Sequence, residues 1–246
     1  MSRGFLISWL RESLYRTERP ERTFVATVAE HLVRSDFILD VGCGFDTATL
    51  KRLTGRRVGI DLVPQFTPAP GVHVVRADAQ SLPFSDQQFE VACSRSVLEH
   101  LEDPGQMFRE VARVLRPGGY FIILTPNQWD YISLAAMLIP NRWHARLVRC
   151  ATGRPEERTF PTLYRANDVG TLRRLCRAAG LEVRRIDLLR QHPHYLQAHW
   201  LLYLIGVLIE QALQRPVPPL RPWIFAIFQV PPQDRGKMTV GRLVKS

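Results

Sequence analysis

Cysteine is scarce in this chain of 246 residues. The four cysteines are widely spaced and form no C-x-x-C pair: Cys43, Cys93, Cys150 and Cys176. This spacing excludes a disulfide framework and the usual pattern of a zinc site. We therefore expect no metal site, and we expect reduced thiols in a cytoplasmic protein.

Long apolar runs are also absent. The uncharged apolar core of the main candidate, Trp200–Ile209, has ten residues, whereas about 20 are needed to span a bilayer. The surrounding stretch Tyr195–Ala212 leaves several interpretations open: a buried core helix or oligomer contact, a cap over an apolar substrate, an interfacial helix on a membrane, or a transmembrane helix. Near the start of the chain, apolar residues interrupted by Ser8 and followed by Arg11 favour an amphipathic helix over a signal peptide.

Lysine is rare as well. Only three of the 33 basic residues are lysines, so the formal net charge of +10 is carried almost entirely by arginine. Between Arg142 and Arg190 there are twelve arginines and five acids. This region reflects either a compositional bias of the genome or a basic face that meets anionic lipid or a phosphorylated substrate. No aromatic-basic stacking platform or RNA-binding module accompanies it, and we expect no nucleic acid partner.

What the chain does contain is an apolar strand that runs into a glycine loop. Residues 37–46 read Phe-Ile-Leu-Asp-Val-Gly-Cys-Gly-Phe-Asp, which predicts a buried parallel strand followed by a tight turn. Gly42 and Gly44 would let a ligand approach the main chain closely. We expect a helix to follow, whose first N–H groups attract a negatively charged or carboxylate-bearing ligand. This pattern is typical of a nucleotide-type cofactor site at the carboxyl edge of an open α/β sheet.

Further apolar runs follow, and several end in an acid. They are Arg57–Leu62 with Asp61, Val72–Ala79 with Asp78, Phe89–Ser94, and Leu115–Thr125 with its Pro-Gly-Gly turn. A carboxylate at the tip of the second strand is placed to accept hydrogen bonds from a ribose diol. A dinucleotide site would require Gly-x-Gly-x-x-Gly, but Thr47 stands where the third glycine would be. The nicotinamide interpretation is therefore disfavoured.

In this order the motifs resemble the class I S-adenosylmethionine-dependent methyltransferases, in style closest to the small-molecule, ubiquinone-biosynthesis-like branch. The matching elements, within about residues 36–190, are Asp40-x-Gly42-x-Gly44, Asp61, Asp78-Ala79 before Leu82-Pro83-Phe84, Val97–Leu101, Val114–Gly119 and Ala178–Leu181. In one departure, Asp46 stands where the family usually has a third glycine or another small residue. Its carboxylate would either pair with the ammonium group of the cofactor or point to solvent.

The resemblance implies a site for S-adenosyl-L-methionine. The implied cofactor-binding residues are Asp40, Gly42 and Gly44 around the methionine portion, Asp61 at the ribose hydroxyls, Leu62 beside the adenine, Asp78 and Ala79 at the adenine edge, and Ser94, whose main chain would meet the amino-acid end.

Methyl transfer from a sulfonium is an in-line displacement, so much of the catalysis can come from holding the acceptor atom close and aligned. A hydroxyl or ring-carbon acceptor can also need a general base. His100, after the fourth strand, is the candidate, although the pair Glu99-His100 could equally only shape the loop. Trp129 and Tyr131 follow the fifth strand, where acceptors enter in the family. They are either aromatic walls for an apolar acceptor or ordinary packing.

The alternation of strands and helices predicts an α/β fold. We expect a Rossmann-like, doubly wound, seven-stranded, mostly parallel sheet with helices on both faces, and helical additions at both ends. Residues 1–35 would form a helical lid segment, and residues 36–190 the methyltransferase core, with a substrate-side insertion at 129–165. Residues 191–246 would be a hydrophobic extension that completes the sheet or caps the substrate site.

Two later segments carry more specific predictions. Ala166–Ala179 is predicted to be a helix, with Asn167 or Asp168 as its N-cap and Gly180 as its stop, and a strand should follow. Trp223–Val230 is either a final strand or a second interfacial segment.

We therefore expect a cytoplasmic enzyme that methylates a small-molecule acceptor, at the oxygen of a hydrophobic or lipid-like metabolite. Peripheral contact with the inner face of an anionic membrane would involve the basic region 142–190 and the apolar region 195–230. One alternative is a sugar or other polar metabolite as acceptor, with 195–230 as buried core. The other is a non-catalytic cofactor-binding or membrane-associated accessory protein, for which Asp46 is the one supporting feature.

Overall fold

A seven-stranded sheet forms the centre of the protein. The computed structural model describes residues 19–32, 37–63, 66–130, 161–191, 200–213 and 216–233, together with residues 9, 13 and 134. The strands are β1 (Phe37–Val41), β2 (Arg56–Asp61), β3 (Val72–Arg76), β4 (Phe89–Arg95), β5 (Leu115–Pro126), β6 (Glu182–Leu189) and β7 (Trp223–Gln229).

The strands lie in the order β3-β2-β1-β4-β5-β7-β6. Strands β1 to β5 pair in parallel, whereas β7 runs antiparallel to both of its neighbours, β5 and β6. The predicted final strand is thus confirmed at Trp223–Gln229, and the interfacial interpretation of that segment is wrong. Its residues are apolar almost throughout because β7 is buried between two strands.

Four α-helices accompany the sheet in the described ranges: α1 (Pro20–Leu32), α2 (Pro104–Val114), α3 (Val169–Ala178) and α4 (Trp200–Leu213). Helix α3 begins at Val169, three residues after the predicted start. The side chain of Asp168 accepts a hydrogen bond from the amide of Thr171 at 2.9 Å, so Asp168 rather than Asn167 is the N-cap. The chain leaves the helix through Gly180 at a φ of +73°, as predicted.

The helices cover both faces of the sheet. On one face, Phe24, Val28 and Leu32 recur at the spacing of a helix stripe and pack against the sheet. On the other face, α2 and α3 share a core cluster with Phe121 and Phe228 of the sheet. The fold class predicted from the sequence is thereby confirmed, whereas the boundaries proposed for the three stretches of the chain stay predictions.

The expectation of a helix directly after the glycine loop is wrong. Turns and a single three-residue 3₁₀ turn, Leu50–Arg52, connect β1 to β2. Thr47 lies at a φ of +49°, outside the right-handed helical region, and its hydroxyl accepts a hydrogen bond from the amide of Ala69 at 3.1 Å. A threonine that binds a distant loop in this way cannot also continue a helix.

Helix α4 is apolar on more than one side. Tyr203, Val207 and Glu210 are buried, whereas Leu201 and Leu208 are exposed. None of the helices in the described ranges combines the length and the apolar character that crossing a membrane requires. Residues 195–199 of the predicted segment lie outside the described residues.

We expect Phe228→Ala to lower the free energy of unfolding by about 3–5 kcal/mol. The Phe228 ring is fully buried, and its centroid lies 5.5 Å from that of Phe108 and 6.1 Å from that of Phe121, so its loss leaves a cavity between sheet and helix. Urea denaturation measures the change. Phe45→Ala, at a ring that is 42% exposed, is the control and should cost less than about 1 kcal/mol. Equal costs at the two positions would contradict the placement of this core.

Candidate active site

The carboxyl ends of β1, β2, β3 and β4 meet at one edge of the sheet because these strands are parallel. Val41 pairs with Ile60, and Asp61 pairs with Arg76. The predicted cofactor residues, which come from four separate segments, are therefore brought to a common edge, where ligands bind in open α/β sheets.

The glycine loop after β1 folds back against β2. The amides of Gly42 and Cys43 both donate to the carbonyl oxygen of Ile60, at 2.8 and 2.9 Å. Gly42 has a φ of +79°, and a Cβ there would lie 2.1 Å from a methyl carbon of Val97, so a side chain is excluded. At Gly44 a Cβ would meet nothing within 4 Å, which leaves room for a ligand beside the backbone.

The carboxylate of Asp61 connects the second strand to this loop. Its Oδ2 accepts the amide hydrogen of Gly44 at 2.8 Å, and its Oδ1 accepts that of Val63 at 3.1 Å. Each oxygen of an ionised carboxylate has a further lone pair, so the group can still accept hydrogen bonds from a diol. Leu62, the next residue, is 51% exposed and offers an apolar surface to a flat ring.

The loop after β3 adjoins the loop of Asp61. The amide of Ala77 donates to the backbone oxygen of Asp61 at 3.1 Å. Asp78 accepts the amide hydrogen of Gln80 on its Oδ1 at 2.8 Å, a turn that fixes the carboxylate. Ala79 is buried. The third predicted motif is therefore adjacent to the second.

Asp40 is almost completely buried at the end of β1. Its Oδ1 lies 3.5 Å from the Cys93 thiol, and its Oδ2 has no hydrogen-bond partner. Burial raises the pKa of this carboxyl from 3.8 to about 7, and the thiol and the charge of Arg95 oppose that shift only in part. A buried polar atom without a partner, two residues before the glycine loop, is a group that a bound cation could satisfy.

Ser94 donates its hydroxyl to the Val41 carbonyl at 2.8 Å and so ties β4 to β1.

Asp46 pairs with a residue of this chain. Its Oδ2 lies 3.0 Å from Nζ of Lys51, and its side chain is 57% exposed. The lysine lowers the pKa of the Asp46 carboxyl. The negative charge that departs from the family pattern is therefore compensated at the surface.

His100 contacts the segment that follows residue 160. Its Nδ1 lies 2.9 Å from the carbonyl oxygen of Pro161. Because a carbonyl only accepts, Nδ1 carries the proton and the lone pair of the neutral ring lies on Nε2. Nε2 is 4.0 Å from Oε1 of Glu99. The ring thus shapes the loop, and a catalytic role for His100 stays a prediction.

A buried polar network at the ends of β4 and β5 was not predicted. Thr125 donates its hydroxyl to Oε2 of Glu99 at 3.3 Å, and Asn167 donates its side-chain amide to that hydroxyl oxygen at 2.8 Å. All three residues are buried, and burial raises the pKa of the Glu99 carboxyl. The only signal in the sequence is a glutamate within the apolar run Val97–Leu101, because its partners lie 26 residues or more away along the chain.

The same network holds the segment Pro161–Asp168 against this edge. The backbone oxygen of Glu99 accepts the amide hydrogens of Leu163 and Tyr164 at 2.6 and 3.3 Å, and the amide of Gln128 donates to the backbone oxygen of Asn167 at 2.9 Å. This segment therefore forms one wall beside the end of β5.

Trp129 lies at the exit of β5 with 53% of its surface exposed. Its amide donates to Oδ1 of Asn127 at 3.2 Å, which orients the loop. Tyr131, the other predicted acceptor wall, lies outside the described residues. Within the described ranges, no three His, Cys, Asp or Glu side chains are grouped so as to hold a metal ion.

Comparison with known proteins agrees with this geometry. Residues 39–123 match a family model described as a methyltransferase domain. An uncharacterized methyltransferase of Mycobacterium tuberculosis is 33% identical over 152 residues, which are 60% of this chain and 57% of that protein. An uncharacterized 37.1 kDa protein from a transposon of Streptomyces fradiae is 35% identical over 109 residues, 39% of this chain and 31% of that protein. The chain thus spans only about a third to three fifths of the length of these relatives.

Solved structures share the fold. An S-adenosylmethionine-dependent methyltransferase from Mesorhizobium loti has a TM-score of 0.57 at 17% identity, over 86% of this chain and 98% of that one. The [4+2]-cyclase SpnF has a TM-score of 0.54 at 18% identity, over 86% of this chain and 82% of that one. At such identities the likeness concerns the fold alone.

The strand order and the glycine loop define a nucleotide-type cofactor site on an open α/β sheet. With the family model that residues 39–123 match, they show that the chain contains a methyltransferase domain with the fold of S-adenosylmethionine-dependent methyltransferases. The resemblance drawn from the sequence is confirmed. S-adenosylmethionine is the cofactor of this class. Its polar parts suit the open backbone at Gly44, the Asp61 carboxylate and the unpaired oxygen of Asp40. Its apolar parts suit the exposed side chain of Leu62. The role of each residue stays a prediction.

We expect Asp40 to make stability depend on pH. Because its pKa in the folded protein, about 7, lies above 3.8, the folded state holds the proton more tightly than the unfolded chain does. The resulting stabilisation is present at low pH and is lost as the pH rises toward 7. Relative to Asp40→Asn, the wild type should lose about 1.4 kcal/mol of unfolding free energy per pH unit from about pH 4.5 to about pH 6.5.

Urea denaturation at a series of pH values measures this difference. Asp86→Asn, which alters a carboxylate with 72% of its side chain exposed, is the matched control and should keep the pH dependence of the wild type. Parallel curves for the wild type and Asp40→Asn would refute the prediction.

We expect Thr125→Val to lower the free energy of unfolding by about 1–3 kcal/mol. The valine fills the same volume but removes the hydroxyl that bonds Glu99 and Asn167, so buried polar atoms lose their partners. Thr162→Val, at an exposed position of the neighbouring segment, is the control. If both variants unfold at the same denaturant concentration as the wild type, the network does not stabilise this edge.

Proposed function

We propose that this protein is an S-adenosylmethionine-dependent methyltransferase that methylates an oxygen atom of a hydrophobic or lipid-like small molecule. The observation that carries the proposal is the convergence of the glycine loop with the Asp61 carboxylate, joined by the 2.8 Å hydrogen bond from the Gly44 amide. When bound, S-adenosylmethionine supplies a methyl group already activated by its sulfonium. The protein then has to bind, orient and shield the two reactants.

The cofactor half of the proposed site follows the parts of the molecule. Asp61 would accept the ribose hydroxyls, with the adenine lying near Leu62 and next to the turn of Asp78. The methionine portion would lie along Gly44, close to Asp40. The unpaired Oδ2 of Asp40 and its raised pKa support this arrangement, because a neighbouring cation would favour the ionised carboxylate.

The acceptor half lies at the ends of β4 and β5. Trp129 is half exposed there, and Val217 is 40% exposed on the connector after α4. The connector is bound to the same edge because the side-chain amide of Asn127 donates to the backbone oxygens of Pro219 and Arg221, each at 2.8 Å. Exposed apolar side chains at this edge favour an apolar acceptor. His100 would accept the hydroxyl proton on Nε2.

Two alternatives make different predictions. A sugar or other polar acceptor would leave the exposed apolar side chains at this edge without a use. A non-catalytic protein had Asp46 in its favour, and the ion pair with Lys51 weakens that argument. The fold admits other uses, since one structural neighbour is named as a cyclase, so turnover has to be measured.

We expect S-adenosylmethionine to bind the cofactor-stripped full chain with a dissociation constant on the order of micromolar, and Asp61→Ala to weaken binding at least about tenfold. The substitution removes both the diol acceptor and the partner of the Gly44 amide. Isothermal titration calorimetry measures both constants. Asp86→Ala, at an exposed carboxylate paired with Arg113, should bind as the wild type does.

An acceptor screen completes this experiment, with labelled methyl transfer to hydrophobic and prenylated phenols compared with transfer to sugars. Transfer to the phenols supports the proposal, whereas transfer to sugars alone supports the first alternative. A folded protein that binds no cofactor, or binds it and methylates nothing, would favour the accessory protein.

A further inference from the structure

We propose that one face of helix α4, made of Leu201, Ile205, Leu208 and Ile209, docks on an anionic lipid bilayer beside the acceptor edge. A bilayer docked at this place would supply the proposed hydrophobic acceptor, and in this respect the inference rests on the proposed function. The docking itself depends only on the surface of α4 and on the charges around it.

The four side chains form a continuous apolar stripe. They lie at intervals of four, three and one residues, which places them on one side of a helix. Their exposures are 53% for Leu201, 45% for Ile205, 68% for Leu208 and 40% for Ile209. Such a row of large apolar side chains in water marks a contact surface.

The opposite side of α4 is buried and holds the only charge of the helix. Tyr203 is 0% exposed, Val207 3% and Glu210 2%. The helix is therefore packed on the protein through one side, and the stripe is an additional apolar surface. A helix that lies in the membrane interface with one apolar side down has this arrangement.

The charges near the stripe point to the partner. From residue 188 to residue 233 the sequence has one acidic residue, Glu210, and three arginines, of which Arg190 contacts Gln211 of α4 at 3.4 Å. The single acid is the buried Glu210. A second copy of the chain would bring like charges together, and the whole chain has a formal net charge of +10. An anionic bilayer complements the apolar stripe, the net positive charge of the chain and the nearby Arg190.

The C-terminal end of α4 and the connector after it are tied to the sheet edge of the proposed acceptor site. Strands β5 and β6 both end beside Trp223, so they finish at the same edge of the sheet. Just beyond β6, Arg190 donates to Oε1 of Gln211 on α4 at 3.4 Å. The connector after α4 is bound to Asn127 beyond β5. Both ends of this region are thus tied to the edge where Trp129 is exposed, and an apolar acceptor could move from bilayer to site over a short distance.

Vesicle co-sedimentation of the full chain without cofactor tests the proposal. We expect binding to vesicles that contain phosphatidylglycerol, weaker binding to pure phosphatidylcholine vesicles, and release at high salt. Leu208→Glu should reduce the partition coefficient about tenfold, since it replaces the most exposed residue of the stripe by a charge. Ile205→Ser, a milder change, should reduce it by a smaller factor.

The matched control is Val75→Glu, which places the same charge at a 38% exposed apolar residue of β3, the strand at the other edge of the sheet. It should bind vesicles as the wild type does, and circular dichroism checks that each variant is folded. The proposal is wrong if folded wild type ignores anionic vesicles, or if Leu208→Glu and Val75→Glu bind equally. It is also wrong if light scattering shows a dimer that Leu208→Glu disrupts while vesicle binding is absent.

The vesicle assay and the S-adenosylmethionine titration can fail independently of each other. Failure of vesicle binding with intact S-adenosylmethionine titration would remove the docking surface only. Failure of the titration with intact vesicle binding would remove the methyltransferase proposal only, because no cofactor is present in the vesicle assay.

Discussion

The hydrogen bond from the Gly44 amide to the Asp61 carboxylate is the contact on which the proposed cofactor half of the site depends. It joins two loops that are 17 residues apart in the chain. The bond forms because β1 and β2 pair in parallel with Val41 beside Ile60, and because the Ile60 carbonyl accepts two amides of the glycine loop. A register shift of one residue would turn the Asp61 side chain to the other face of the sheet. The pairing of these two strands is therefore a condition for the site as well as for the fold.

The proposed acceptor half depends on β7, the last strand in chain order among the described residues. Strand β7 inserts between β5 and β6, and the connector before it is held by Asn127 across more than 90 residues of sequence. Helix α4 lies in the same connection between β6 and β7. The antiparallel insertion thus brings the connector after α4 to the exit of β5.

Two buried carboxyls at this edge oppose stability. Burial raises the pKa values of Asp40 and Glu99, and one oxygen of Asp40 has no partner in the described structure. Apolar side chains at these positions would cost less free energy to bury if the core only had to hold the sheet together. Perturbed carboxyls that gather at a sheet edge are typical of functional sites.

The sequence by itself determined the first six strands, the order of the motifs, the glycine loop and the end of helix α3 at Gly180, because apolar periodicity and turn chemistry act over a few neighbouring residues. It did not reveal that Thr47 binds Ala69 and so prevents a helix after the glycine loop. Nor did it reveal that Asn167 belongs to a network with Thr125 and Glu99 while Asp168 caps the helix. The exposed side of α4 was equally hidden, since apolar residues occur on every side of that helix. These features were decided by the tertiary structure, because each depends on which distant residues the folded sheet brings into contact.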